Sequence, residues 1–459
     1  MTALPSPQAL RAQLAALEAG LLERGTAVRL LLLAALAGEH VLLIGPPGTA
    51  KSELARRLHR CFADTRYFER LLTRFSTPEE LFGPLSLKSL EDDRYERLVD
   101  GYLPTAGIAF LDEVFKANSA ILNALLTLLN EREFDNGAGR RATPLVSLVG
   151  ASNEVPADDS LLAFHDRFLL RVPVVPVGDD RFADLLRLSP PDDAWPATLT
   201  ADQRAAVAAA SARVVLGDEA LRGLQALRRQ VHSMSLVVSD RRWRQFVGLL
   251  RTAAATDGRA EIDGFDLWLA PYVAGDRPET VQALADWVDA ELLRTLPPPT
   301  PWFDAAADAF EAQLDVERQA PADEADDSAG KLALARAAGG RAPEGPMRLV
   351  TERLEQALQR RWSPVHVAAR LAQVDEVLDR VARLRDERRA QTSALQARCR
   401  TRLWLPPALA ARWVGAQQQA LQHLDALAQR LADCRAGFAA LPQDAASPAA
   451  VPEPVPIGP

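Results

Sequence analysis

The stretch beginning at Leu42, LLIGPPGTAKSEL, constrains this chain more than any other. An apolar run ends at Gly45, a Gly- and Pro-containing turn follows, and Lys51-Ser52 opens an amphipathic segment. That is the order a phosphate-binding loop needs between a strand and a helix. Gly45 and Gly48 let successive backbone N–H groups converge on anionic oxygens. Lys51 reaches the β- and γ-phosphates, Ser52 offers a hydroxyl to Mg2+, and the helix after them points its N-terminus at the nucleotide. The candidate ATP-binding set is therefore Gly45, Pro46, Pro47, Gly48, Thr49, Ala50, Lys51 and Ser52. Ala50 departs from the common pattern G-x-x-x-x-G-K-[ST], which has a second Gly there. With a backbone near helical values its methyl would cost little.

Two further strand ends carry chemistry. GIAFLDE is an apolar run that delivers Asp112 and Glu113, the first placed to hold Mg2+, usually through water, and the second to polarise an attacking water. VSLVGASNE delivers Asn153, whose amide can orient water against a γ-phosphate. With HVLLIG and FLLRVPV these make four short runs, apolar throughout rather than alternating, interleaved with helical patterns. Such runs fit a parallel sheet covered on both faces, hence an α/β fold.

At 459 residues the chain exceeds one ordinary core. Five segments are expected: an α/β nucleotide-binding core over 1–177, an all-α lid over 178–296, an acidic Pro/Ala-rich linker over 297–346, a C-terminal helical domain over 347–441 and a disordered tail over 442–459. Val367, Leu371, Val374, Leu378 and Val381 form a narrow seam of the coiled-coil type, as do Leu424, Leu427, Leu431, Cys434 and Phe438. LWLPPALAAR supplies the turn between them, and Met347 to Arg361 is expected as a third packed helix. The net charge of −8 is unevenly spread. Trp302 to Ser328 carries nine acids against Arg318 alone, whereas Lys331 to Arg435 is strongly basic. The acidic arm reads either as a solvated linker or as a segment that docks on the basic helices or competes with an acidic partner for them. No secretory signal and no membrane span are visible, and three dispersed Cys (Cys61, Cys399, Cys434) suit a reducing compartment, so a cytoplasmic protein is expected.

In these residues the chain resembles an AAA+ ATPase, and more narrowly the MoxR family in its RavA-like branch. The resemblance runs from about Ala27 to Leu250 through GPPGTAKS, TPEELFGPLSL, FLDEVFKANSAILNALLTLLNEREF and ASNEVP. It implies an AAA+ αβα core with a parallel sheet, an all-α lid and ATP hydrolysis with Mg2+. LLAFHDRFLLR resembles the stretch bearing the arginine finger, so Arg167 would reach the γ-phosphate held by a neighbouring subunit. VSDRRWRQF resembles the sensor-2 helix of the lid, with Arg241 the better match and Arg242 the second. A site that borrows Arg167 from a neighbour requires a homo-oligomeric ring, a hexamer in most relatives. The catalytic candidates are then Glu113, Asn153, Arg167 and Arg241, with Ser52 and Asp112 as metal ligands. LSLKSLEDDRYERLVDGYLP reads as a β-hairpin insertion, either a plain surface hairpin or one similar to that which this family projects toward the ring's pore, where Tyr95, Leu98 and Tyr102 would be available to a substrate. MoxR relatives work with a protein bearing a von Willebrand factor A (VWA) domain, which implies chaperone-like remodelling of a protein client, with the acidic arm a candidate contact for that partner. Two other readings compete, a nucleic-acid motor and a nucleotide-gated assembly switch. The first is opposed by the net charge of −7 that remains for residues 1–301. The second is opposed by the intact Glu113, Asn153 and Arg167.

Overall fold

The computed structural model describes residues 3–137, 139–156, 159–188, 195–293, 301–320, 360–447 and 449–457. The chain forms two compact units. One comprises Met1–Leu293 with Arg398–Ala411, the other Arg294–Ala397 with Arg412–Pro459.

The first unit opens with α1 (Pro7–Glu18), started by Pro7 and capped by Ser6, whose Oγ accepts from Ala9 N at 3.1 Å. The almost wholly apolar α2 (Gly25–Ala37) is buried nearly all round and ends on left-handed Gly38. Next come β1 (Val41–Ile44), α3 (Lys51–Arg60), β2 (Tyr67–Leu71), α4 (Pro78–Phe82), α5 (Leu87–Glu91), β3 (Ile108–Asp112) and α6 (Ser119–Glu131). After a small antiparallel pair, β4 (Glu133–Asp135) with β5 (Arg140–Ala142), the chain continues through β6 (Ser147–Ser152), α7 (Asp159–His165) and β7 (Leu170–Pro173). The main sheet has the order β2-β3-β6-β1-β7 and all its pairs are parallel. The four expected strands are β1, β3, β6 and β7, and β2 is a fifth at the edge. Its pattern, YFERL, is only half-buried and reads as polar. β1 and β6 are buried at every position, as strands covered on both faces must be.

The helical region is α8 (Asp179–Leu186), α9 (Ala201–Ser211), α10 (Asp218–Ser233), α11 (Asp240–Thr256), α12 (Ala270–Ala274) and α13 (Pro278–Leu293), with one two-residue parallel pair, β8 (Val215–Leu216) and β9 (Glu261–Ile262). The expected β-hairpin insertion is corrected. Leu85 and Arg97 form a single antiparallel bridge, and α5 occupies the span between them because Ser86 caps it, its Oγ accepting from Ser89 N at 3.2 Å. Tyr95 and Leu98 are exposed there, whereas Tyr102 packs against the core.

The second unit corrects the linker and the tail. Residues 301–319, expected as linker, form α14 (Pro301–Gln319). Phe303, Ala306, Ala307, Phe310 and Leu314 recur at helical spacing and pack with the two expected seams, now on α15 (Pro364–Thr401) and α16 (Pro407–Ala439). The acids of α14 dock on the basic helices. Arg430 donates to Glu311 Oε1 at 2.8 Å and Oε2 at 2.7 Å and to Asp308 Oδ1 at 2.5 Å. Glu317, buried, accepts from Arg370 Nε at 2.8 Å and meets His366 Nε2 at 3.0 Å. In the tail, Val455 is buried in the same cluster, Ile457 packs against it, and Arg370 donates to Glu453 O at 2.6 Å, so residues 453–457 lie against the helices. The expected helix over Met347 to Arg361 lies outside the described residues, apart from 360 and 361. The turn between α15 and α16 belongs to the first unit, where Trp404 Nε1 donates to Thr256 Oγ1 at 2.8 Å and Leu403 N to Asp257 Oδ1 at 2.7 Å.

Candidate functional site

Parallel strands place their C-terminal ends along one edge of the sheet, and β1, β3 and β6 deliver the candidate residues there. The loop after β1 runs very close to the chain after β7. A Cβ added to Gly45 would sit 2.0 Å from Val174 O, so only Gly fits. Gly48 (φ 81°) and Ala50 (φ 67°, ψ 24°) are both left-handed. Ala50 therefore does not have the helical backbone under which its methyl would be harmless. It carries left-handed strain of about 1–2 kcal/mol.

Among the described residues, the N–H groups of Gly48, Thr49 and Ala50 have no backbone or side-chain acceptor. They lie at the N-terminus of α3, whose dipole adds to their field, so this donor set fits the phosphates of a nucleotide. Lys51 is buried, and its Nζ donates to Gly45 O at 2.5 Å, Pro46 O at 3.0 Å and Asn153 Oδ1 at 3.2 Å. Burial lowers its pKa, and the carboxylates of Asp112 and Glu113 push in the opposite sense.

At the end of β3, Asp112 Oδ1 accepts from Glu113 N at 3.0 Å, and Glu113 itself is left-handed (φ 53°, ψ 44°). Glu113 Oε1 accepts from Asn153 Nδ2 at 2.7 Å and lies 3.3 Å from Lys116 Nζ. One amide thus bridges the loop lysine and the second carboxylate. Ser52, in the first turn of α3, and Asp112 supply one hydroxyl and one carboxylate. No cage of three or more His, Cys, Asp or Glu exists among the described residues. This set suits Mg2+, which keeps most of its waters and binds through one or two protein oxygens plus phosphate.

Arg167 and Arg241 are not brought to Lys51. Val41 pairs with Leu170 and Ile44 with Pro173, so Arg167, just before β7, lies beyond the start of β1. The phosphate loop leaves the other end of β1, four residues and about 13 Å away. Arg241 joins Arg167 there. Its Nη2 donates to Asn130 Oδ1 at 3.0 Å, and its charge helps lower the pKa of Arg167, after burial. Among the described residues the Arg167 guanidinium has no hydrogen-bond partner. Arg242, the second sensor candidate, is 1% exposed and its donors are spent on the protein interior.

Arg24 was not legible in the sequence. It is buried, and it donates from Nε to Thr49 O at 3.2 Å and from Nη2 to Val175 O at 2.7 Å, tying the phosphate loop to the chain after β7. No motif surrounds it in ERGTAV, and its partners are distant in sequence.

The chain is similar to known proteins over this region. Residues 8–211 match a family model described as the MoxR domain in the MoxR-vWA-beta-propeller ternary systems, and residues 219–288 match an AAA lid domain. Two uncharacterized proteins of Methanocaldococcus jannaschii are 42% identical over 257 residues and 41% over 260, each match covering 56% of this chain and 67% or 69% of the relative. A structural protein of the Acidianus two-tailed virus is 29% identical over 163 residues, covering 33% of this chain and 26% of that protein. A crystal structure from Cytophaga hutchinsonii matches at 14% identity and a TM-score of 0.46, covering 61% of this chain and 85% of that one, too distant a likeness to carry an inference. With the parallel sheet, the phosphate loop and the lid in place, the chain belongs to the MoxR family of AAA+ proteins.

Proposed function

We propose that this protein hydrolyses ATP with Mg2+ as a homo-oligomeric ring, a hexamer, and uses that cycle to remodel or activate a protein partner together with a VWA-domain protein. The observation that carries the hydrolytic part is the Lys51–Asn153–Glu113 relay at the strand ends. Lys51 and the N–H groups of the loop bind the phosphates, and Ser52 and Asp112 would hold Mg2+, which would supply charge neutralisation there. Glu113, oriented by Asn153, takes the proton of the attacking water at its carboxylate. Arg167 and Arg241, at the opposite strand ends, are offered to a neighbouring protomer, where a guanidinium stabilises the transferred charge. Head-to-tail contact of one edge with the other would close such a ring.

The partner class is supported by the matched family's description, which names VWA and β-propeller proteins beside the MoxR domain. The acidic arm is a poorer contact than its charge suggests, because Asp308, Glu311 and Glu317 already pair within the helical unit. The same pairs neutralise Arg370 and Arg430, which weakens the case for a nucleic-acid motor. No helix among the described residues is long and apolar enough to cross a membrane. The test is a pull-down of a VWA-domain protein by the purified chain with and without Mg-ATP, alongside turnover measured with and without DNA. Nucleotide-dependent retention and DNA-independent turnover are expected. DNA-stimulated turnover that weakens with salt would replace this reading with a motor.

A further inference from the structure

The two arginines that open α11 point to different tasks. Arg241 lies beside Arg167, whereas the next residue, Arg242, is buried and uses all five of its N–H donors internally. Nε donates to Val273 O at 2.7 Å. Nη1 donates to Asp166 O at 3.1 Å and Asp166 Oδ1 at 3.4 Å, and Nη2 to Phe168 O at 2.9 Å and Leu169 O at 2.7 Å. The acceptors at 166, 168 and 169 flank Arg167 on both sides, and Val273 lies in α12 of the lid. Ser239 Oγ accepts from Arg242 N at 3.3 Å and fixes the start of the helix that carries the guanidinium.

We infer that Arg242 is a positioning residue for Arg167: it splints the peptide units on either side of the finger to α11 and α12, so that the lid of one protomer sets the angle at which its finger meets the next protomer's phosphate. This rests on the reading of Arg167 as a group acting in a neighbouring site. A planar fork holding four carbonyl oxygens defines orientation in a way that an ammonium on a flexible stem does not. Arg242→Lys therefore keeps the charge and part of the hydrogen bonding while loosening the splint.

The test compares Arg242→Lys with Arg167→Ala in the full-length chain, measuring ATP affinity, ring assembly and kcat, and then repeats turnover after mixing each variant with excess Lys51→Ala chain. The Lys51→Ala chain brings no working phosphate loop but presents an intact finger. For Arg242→Lys we expect ATP affinity within about twofold of wild type, since the phosphate loop is untouched, and kcat lower by about tenfold or more, since misplacement by about 1 Å can cost 10²-fold. Mixing with Lys51→Ala should restore turnover for both variants, and mixing the two variants with each other should not. Rescue of Arg167→Ala without rescue of Arg242→Lys would overturn the positioning role alone. Failure to rescue Arg167→Ala would overturn the neighbouring-site reading beneath it. An Arg242→Lys chain that loses ATP affinity, or no longer folds, would make Arg242 an ordinary core group and overturn the inference as well.

Discussion

Asn153 donates through Nδ2 to Glu113 Oε1 at 2.7 Å while its Oδ1 accepts from Lys51 Nζ at 3.2 Å. In the proposed reaction that amide holds both the carboxylate assigned to the water and the ammonium assigned to the phosphate. Truncation by Asn153→Ala releases the carboxylate, so kcat is expected to fall about 10²-fold, the scale on which a positioned proton acceptor acts. ATP affinity should change much less, because the N–H groups of the loop remain. Steady-state kinetics with a direct binding measurement check the split.

Ala50 sits at φ 67° at the start of α3. Ala50→Gly removes the left-handed strain but gives the unfolded chain more freedom, so unfolding stability should shift by less than about 1 kcal/mol. Ala50→Val adds branching at a conformation that disfavours it and should destabilise clearly more than Ala50→Gly does. Urea titrations of the three chains compare them.

His165 is buried against Phe115, with Arg171 and Arg242 close by. Burial first, and then those two charges, lower its pKa from 6.5 to about 2. The folded chain keeps the imidazole neutral, while the unfolded chain protonates it below about pH 6.5. The stability this contributes is therefore present above pH 6.5 and is lost progressively as pH falls towards 2. His165→Asn should lose less stability than wild type between pH 7 and pH 5, as read from paired thermal melts.

Glu317 and Arg370, both buried, join α14 to α15, with His366 as a second partner of the carboxylate. Removing one member leaves a buried charge without its counterpart. Glu317→Ala should destabilise the helical unit by about 3–5 kcal/mol. Denaturation followed by the circular dichroism of the full-length chain provides the measurement.

The candidate site was legible where continuous apolar runs ended abruptly, in a turn glycine at Gly45 and in polar residues at Asp112 and Asn153. What escaped was of two kinds. Ala50's left-handed backbone is a conformation, and the residue type conceals it. Arg24 and Arg242 act through carbonyl oxygens far away in sequence, so no local pattern marks them. The α14 helix was hidden by the acids and prolines around it, although Phe303, Ala306, Ala307, Phe310 and Leu314 already carried a helical stripe. The edge strand β2 escaped because half of its face is wet.

The most direct measurement is the identity of the nucleotide that Glu113→Gln retains after incubation with Mg-ATP, beside wild type and Lys51→Ala. If the strand ends form one hydrolytic site, Glu113→Gln holds unhydrolysed ATP, wild type releases ADP and phosphate, and Lys51→Ala holds nothing. Turnover by Glu113→Gln at the wild-type rate, or ATP retained by Lys51→Ala, would contradict the account.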